Sequence, residues 1–298
     1  MTRIGGFGFS SIGERPDLGD LDRALGRIED AGATHCELSL CSAHLIAGGR
    51  IVPAMRRRLE TVCARRRLAY TAHGVLAVNF MDEPNLDRHE AVCRATIELA
   101  AAVGATILVH HPGLVAMREP AEIERLHAVE RDALRRMGDV AAGQGVTLAV
   151  ETLFVESEKL YTADPFRLAA ELRAVDHGHV VGTLDVSHSY IMSRFKGLDP
   201  VAAVRAFAPV AGHVHLHDSF GRPTTIERFY AAGERIAFGD GDIHLPLGWG
   251  DIPFAELLPD LPLRDGTVLI VELPERYWAE LEPTAGIARE LAALCRAA

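Results

Sequence analysis

Side chains able to hold a cation or move a proton recur at the ends of apolar runs: His73 in AYTAHG, His110 and His111 in TILVHHPG, Glu151 in TLAVET, Asp185 and His188 in VVGTLDVSH, His213, His215 and His217 in HVHLHD, and Glu272 in TVLIVEL, while Asp242 and His244 stand in the glycine-punctuated stretch GDGDIHLPLGWG. Carboxylate with neutral imidazole is a ligand set for Zn²⁺, Mn²⁺ or Fe²⁺, and no thiolate accompanies it. Taken singly, an acid or imidazole after an apolar strand reads equally well as a satisfied structural residue. Asp242-x-His244 by itself reads as a turn. Crowded at one place without a cation, such groups would repel or desolvate one another at a cost of several kcal/mol. The chemistry to expect is therefore metal-assisted, provided the chain gathers them.

The elements that would do so alternate regularly. Strand-like runs cover residues 4–10, 35–40, 69–74, 106–113, 147–152, 180–188, 213–218 and 267–273. Amphipathic helical patterns lie between them, over 20–31, 53–66, 85–103 (ending on a glycine), 120–142, from Asp164-Pro165, from Asp199, 254–261 and 284–296. Asp164 and Pro165 form a cap and first-turn pair. Eight such units without a linker predict a single α/β domain spanning residues 1–298, a closed (β/α)8 TIM barrel. Its active site belongs at the C-terminal ends of the strands, where the last six runs each deliver a carboxylate or an imidazole. His213, His215 and His217 share one parity and one face while that strand stays extended. Residues 219–250 are too long for a bare connection and predict an active-site loop.

Bulk properties are ordinary for a soluble globular protein. The chain has 298 residues, 48% hydrophobic and 24% charged. No run approaches the ~18 apolar residues of a membrane span, and the N-terminus has no signal-peptide pattern, so the cytoplasm is the expected location. Five scattered cysteines without CxxC spacing argue against a disulfide framework. The net charge of −10 gives no general attraction to nucleic acid. The runs Arg56–Arg58 and Arg65–Arg67 read as solvated helix surface.

The motifs TAHGVLAVN, VHHPG, AVET, TLDVSH, HLHD, DIHLPLGWG and VEL, in this order, resemble the xylose isomerase-like barrel superfamily, which joins sugar isomerases and epimerases with family 2 apurinic endonucleases. The resemblance spans nearly the whole chain. In its epimerase-like members one metal is held by Glu, Asp, His and Glu, matched here by Glu151, Asp185, His215 and Glu272. Its endonuclease-like members hold three metals, and that pattern adds His73, His111, His188, Asp242 and His244, with Glu151 bridging two ions. His111 rather than His110 fits because it precedes Pro-Gly. The stretches CSAHLIAGG and HGVLAVN lack the Arg, Gln and Tyr that endonucleases insert into DNA, so nucleic acid is not the expected partner.

Two reactions follow from the resemblance. One is hydrolysis of a small phosphoester or sugar-phosphate-type substrate by two or three divalent ions, zinc first, with manganese or iron as alternatives. The other is isomerisation or epimerisation of a sugar or sugar phosphate, with one metal and proton transfer by Glu151 and Glu272. His188 serves catalysis in the first and substrate binding in the second. His213 and His217 are candidates for supporting the ligands or touching the substrate, Trp249 and Arg222 for touching a small sugar-like or phosphorylated substrate, and Lys196 for an anionic group. Phe7, Phe9 and Tyr190 read equally as pocket or packing. Either enzyme is compatible with a homo-oligomer.

Overall fold

A computed structural model describes residues 4–295. Eight parallel strands close into a barrel in chain order: β1 (Gly6–Ser10), β2 (His35–Ser39), β3 (Ala69–His73), β4 (Ile107–His110), β5 (Thr147–Glu151), β6 (Val180–Asp185), β7 (Ala211–Leu216) and β8 (Val268–Val271), with β8 pairing back to β1. Around it lie α1 (Leu21–Asp30), α2 (Pro53–Cys63), α3 (Leu86–Ala102), α4 (Pro120–Gly143), α5 (Pro165–Val175), α6 (Val186–Lys196), α7 (Pro200–Phe207), α8 (Ala232–Phe238), α9 (Phe254–Leu257) and α10 (Leu281–Leu294). The expected architecture is the observed one.

Local signals act as the residue types dictate. Asp164 accepts the Arg167 N–H at 3.0 Å and Asp199 accepts that of Val201 at 2.9 Å, each capping a helix that opens on proline. Gly104, at φ +72°, ends the turn after α3. The main apolar core lies between strands and helices, where Phe9, Leu25, Leu148, Phe207 and Leu269 are fully buried. Inside the barrel the layers are polar. Glu37 is in register with Thr71, Thr183 with Glu151, and Asp185 with His215.

Several boundaries differ from the expectation. The sixth strand stops at Asp185, and Val186–Lys196 form a helix that the apolar run through Val186 conceals. The cause is a cap: Asp185 accepts the His188 N–H at 2.7 Å and turns the chain. The seventh strand ends at Leu216, so His217 lies beyond it. The helix expected over 254–261 is the short α9, and α10 begins before Thr284, while Arg296 lies outside the described residues. The loop 219–250 carries α8. Cys36, Cys63 and Cys93 are buried free thiols, Cys41 is a half-buried one, and Cys295 is buried. Arg56 pairs with Glu60 and Glu98, and Arg66 with Asp22 and Glu29, as solvated surface charges do. No helix among the described residues is long and apolar enough to cross a membrane.

Candidate metal centre

Glu151 ends β5 at the centre of the barrel mouth, with its side chain only 1% exposed. Four imidazoles surround it. His73 Nε2 and His111 Nε2 lie 3.3 and 3.2 Å from Oε2, and His215 Nδ1 and His188 Nδ1 lie 3.0 and 3.5 Å from Oε1. His215 Nδ1 also faces Glu272 Oε1 at 3.5 Å and Asp185 Oδ2 at 3.9 Å. Two sets with a shared member result: His73, His111 and Glu151, and Glu151, Asp185, His215 and Glu272. Within each set the ligand atoms lie within 4.8 Å of one another, a span that one cation can bridge.

A third set comes from the loop after β7. Asp242 Oδ2 lies 2.9 Å from His244 Nε2 and 3.4 Å from His188 Nε2. His217 joins them: its ring stacks on that of His244 at 4.0 Å, and its Nδ1 faces Asp242 Oδ1 at 3.5 Å. Its Nε2 reaches Asp185 Oδ2 at 3.2 Å, which ties this set to the previous one. His244 adopts φ +46°, a strained backbone for a residue with a side chain. The strain is held by Asp218, whose carboxylate accepts the N–H groups of Ser219, Gly248 and Gly250 at 2.9 Å each. Reciprocal backbone bonds between Asp218 and Leu245 pin the chain one residue past His244. The Asp-x-His stretch is thus fastened to the rim, which a free turn would not require.

Opposite charges interleave through the cluster. Burial works against the charge of Glu151, but His215 foremost, with His111 and His188, holds its carboxyl well below the usual range. Burial likewise opposes ionisation of Asp242, and His244 and His217 outweigh it. His73 and His244 lose from burial and gain more from Glu151 and Asp242, which raises each to about 9. Buried atoms without an aligned hydrogen-bond partner include His215 Nε2, His217 Nδ1 and Asp242 Oδ1. Orphaned donors and acceptors, an oxygen-and-imidazole donor set and a shared carboxylate all fit divalent cations. When bound, such ions polarise a carbonyl or phosphoryl oxygen and acidify water.

All nine residues expected at the rim converge there. His217, expected to support the ligands or to touch substrate, stands among the third ligand set. The other expectations fare differently. His110 is buried against Phe80, ring to ring at 4.5 Å, and burial pushes it down to about 3, so it belongs to the core. Arg222 donates to the Phe238 carbonyl and lies over Phe220, bracing its own loop. Trp249 is half exposed, with its ring edge against Tyr277. Lys196 pairs with Asp164. Phe7 and Phe9 are core residues, and Tyr190 packs beneath Gly221. The residue that sequence reasoning missed is Glu37, fully buried on β2. Its signal was an acid in the middle of an otherwise strand-like run, HCELS.

Two cavities reach the centre. One of about 460 Å³ is lined by Ser10, Ser39, His244, Glu272 and Arg276. A wider one of about 1030 Å³ is lined by Phe229, Tyr230, Asp242, Arg276 and Tyr277. A small polar molecule could enter by either.

A parallel eight-stranded barrel with a carboxylate–imidazole centre at the C-terminal rim defines a class of metal-site barrels. The profile of the family described as xylose isomerase-like TIM barrel matches residues 25–297, and the chain belongs to that family. Among solved structures it resembles a D-tagatose 3-epimerase-like protein, with 17% identity, TM-score 0.71 and 98% of each chain covered. It also resembles the D-allulose 3-epimerase of Methylomonas sp. in complex with D-allulose, with 16% identity, TM-score 0.67, and 98% of this chain and 97% of that one covered. A Thermus thermophilus protein soaked with zinc chloride is similar at 22% identity and TM-score 0.63, with 94% and 98% covered. At these identities the likeness carries the fold. No curated protein matches in sequence.

Proposed function

We propose that the protein is a divalent-metal-dependent isomerase or epimerase of a sugar or sugar-like hydroxyketone. The observation that carries this reading is the set Glu151, Asp185, His215 and Glu272, whose ligand atoms lie within 4.8 Å of one another at the barrel mouth. Two glutamates flank one histidine there, Nδ1 of His215 being 3.0 Å from Glu151 and 3.5 Å from Glu272. In the resemblance, this set belongs to the epimerase-like members. The similar solved structures include a tagatose-epimerase-like protein and an allulose epimerase, which favours the same reaction over hydrolysis.

Asp185 and His215 would hold a divalent cation together with the two glutamates. A cation bound there supplies polarisation of the substrate's carbonyl and of the adjacent hydroxyl. The Glu151 carboxylate accepts the proton from the carbon beside the carbonyl, and the electron pair moves onto the carbonyl oxygen. Glu272 delivers a proton to the same carbon from the opposite face, which inverts it and conserves protons overall. Burial of Glu151 excludes competing water. Zinc suits the imidazole-rich sets, and three neighbouring sets, two of them sharing Glu151, support more than one ion per chain.

The test is exchange in D₂O with zinc-, manganese- or iron-loaded protein and a panel of ketoses that includes D-allulose. Deuterium entering the carbon next to the carbonyl is expected. Its absence from every ketose, with metal bound, would refute the reading.

One observation favours a second reaction: the third set of His188, His217, Asp242 and His244. Proton transfer needs only one cation, whereas adjacent cations suit phosphoester hydrolysis. Phosphate release from a phosphoester panel, without deuterium exchange, would select it.

A further inference from the structure

The Glu151–Asp185–His215–Glu272 set accounts for one nitrogen of His215. Its Nδ1 looks up at three carboxylates. Its Nε2 looks down into the barrel at a fourth, Glu37 Oε1, at 3.0 Å. Glu37 comes from β2, on the far side of the interior, and is fully buried, as are His213 and His215. Its other oxygen, Oε2, is already engaged. His213 Nε2 lies 2.8 Å from it, and Thr71 Oγ1 donates to it at 3.2 Å. The carboxylate is thereby fixed in place with one oxygen left for His215. That last contact is at ion-pair distance but is not aligned as a hydrogen bond.

We propose that Glu37 is the positioning residue of the metal centre, holding His215 in its Nε2–H form so that the Nδ1 lone pair faces Glu151, Asp185 and Glu272. An imidazole binds one cation through one nitrogen, and the hydrogen bond made by the other nitrogen selects the tautomer and the ring angle. With Nδ1 given to a cation, His215 would carry its proton on Nε2, 3.0 Å from Glu37 Oε1 and free to donate to it. His213 completes the arrangement from below by holding Glu37, and it belongs to none of the candidate ligand sets. A simpler role, a buried ion pair that merely stabilises the barrel, predicts no effect on the metal. Glu37 also falls within 4.8 Å of His73, His215 and Glu272, so direct ligation is the competing geometry.

This inference rests on the metal part of the reading above and not on its reaction. The experiment uses zinc on the full chain. Long-range ¹H–¹⁵N NMR of the zinc-loaded wild type is expected to show His215 protonated at Nε2 and metal-bound at Nδ1. Competition with a chromophoric chelator is expected to show zinc bound roughly 10- to 100-fold more weakly by Glu37→Gln, with unchanged stoichiometry. An Nδ1–H tautomer, or unaltered affinity in a folded variant, would overturn the proposal. So would loss of a whole zinc ion, since Glu37 would then be a ligand. If Glu37→Gln does not fold, the wild-type tautomer decides alone. Wild type that binds no zinc would refute the metal reading itself, a result distinct from any of these.

Discussion

Asp218 holds Gly250 by its backbone. Oδ2 accepts the Gly250 N–H at 2.9 Å, and a Cβ placed at position 250 would stand 2.3 Å from Oδ1 of the same carboxylate. The glycine is required for close approach, and the approach fastens the loop that carries Asp242 and His244.

Gly250→Ala should therefore act at a distance. Either the carboxylate or the loop must shift, and overpacking of this kind costs about 1–3 kcal/mol. The expected result is a lower melting temperature together with weaker zinc binding at the His188–His217–Asp242–His244 set. Thermal unfolding and zinc titration measure the two. A variant with wild-type values for both would show that the loop is not held through this contact.

Replacing the central base should separate binding from chemistry. Glu151→Gln keeps the shape and removes the proton acceptor, so deuterium exchange should fall by about 10²–10⁴-fold. Because Glu151 is also shared between two ligand sets, zinc affinity should fall as well. Rates compared at saturating zinc isolate the first effect. Exchange at the wild-type rate would remove Glu151 from the reaction.

Adjacent histidines should behave oppositely. His111→Ala should weaken zinc binding, whereas His110→Phe should leave it intact, because His110 packs on Phe80 inside the core. The pH dependence provides a further check. Burial lowers His110 to about 3 in the fold, against ~6.5 when unfolded. Its contribution is present above pH ~6.5 and is lost as pH falls toward 3, because the unfolded chain binds the proton first. His110→Phe should flatten the acid-side loss of stability expected of the wild type, as thermal unfolding across pH 3–7 would show.

Metal removal should have the opposite pH signature. His73 and His244 are raised to about 9 by Glu151 and Asp242, which outweigh burial. Without metal, their pairing stabilises the fold below pH ~6.5 and is lost as pH rises through about 9. Metal binding needs the same rings deprotonated and strengthens over that interval. The gap in melting temperature between zinc-loaded and chelator-treated protein should widen from pH 6.5 to 9. A gap that narrows would contradict ligation by these imidazoles.

What the sequence determined by itself was whatever depends on near neighbours. The alternation of apolar runs and amphipathic segments is enough for a barrel, because burying both faces of a parallel strand leaves few other arrangements. Asp164 was legible as a cap and Asp199 as a helix start because the partners of both lie within three residues. Seven of the nine candidate ligands were legible because each lies on a strand or just after one, and strand ends share one face of a barrel, whereas Asp242 and His244 lie in a long loop.

The tertiary structure decided the rest, where the partner is remote in the chain. Glu37 and His213 meet across 176 residues, and no local pattern announces such a contact. His217 became a ligand candidate because a loop 27 residues further on brings His244 against it, with their rings at 4.0 Å. His110 and His111 are neighbours at the end of one strand, and only packing tells which ring meets Phe80 and which meets Glu151. Periodicity places a side chain on a face, but the free energy of burying a charge depends on what closes over that face from elsewhere in the chain.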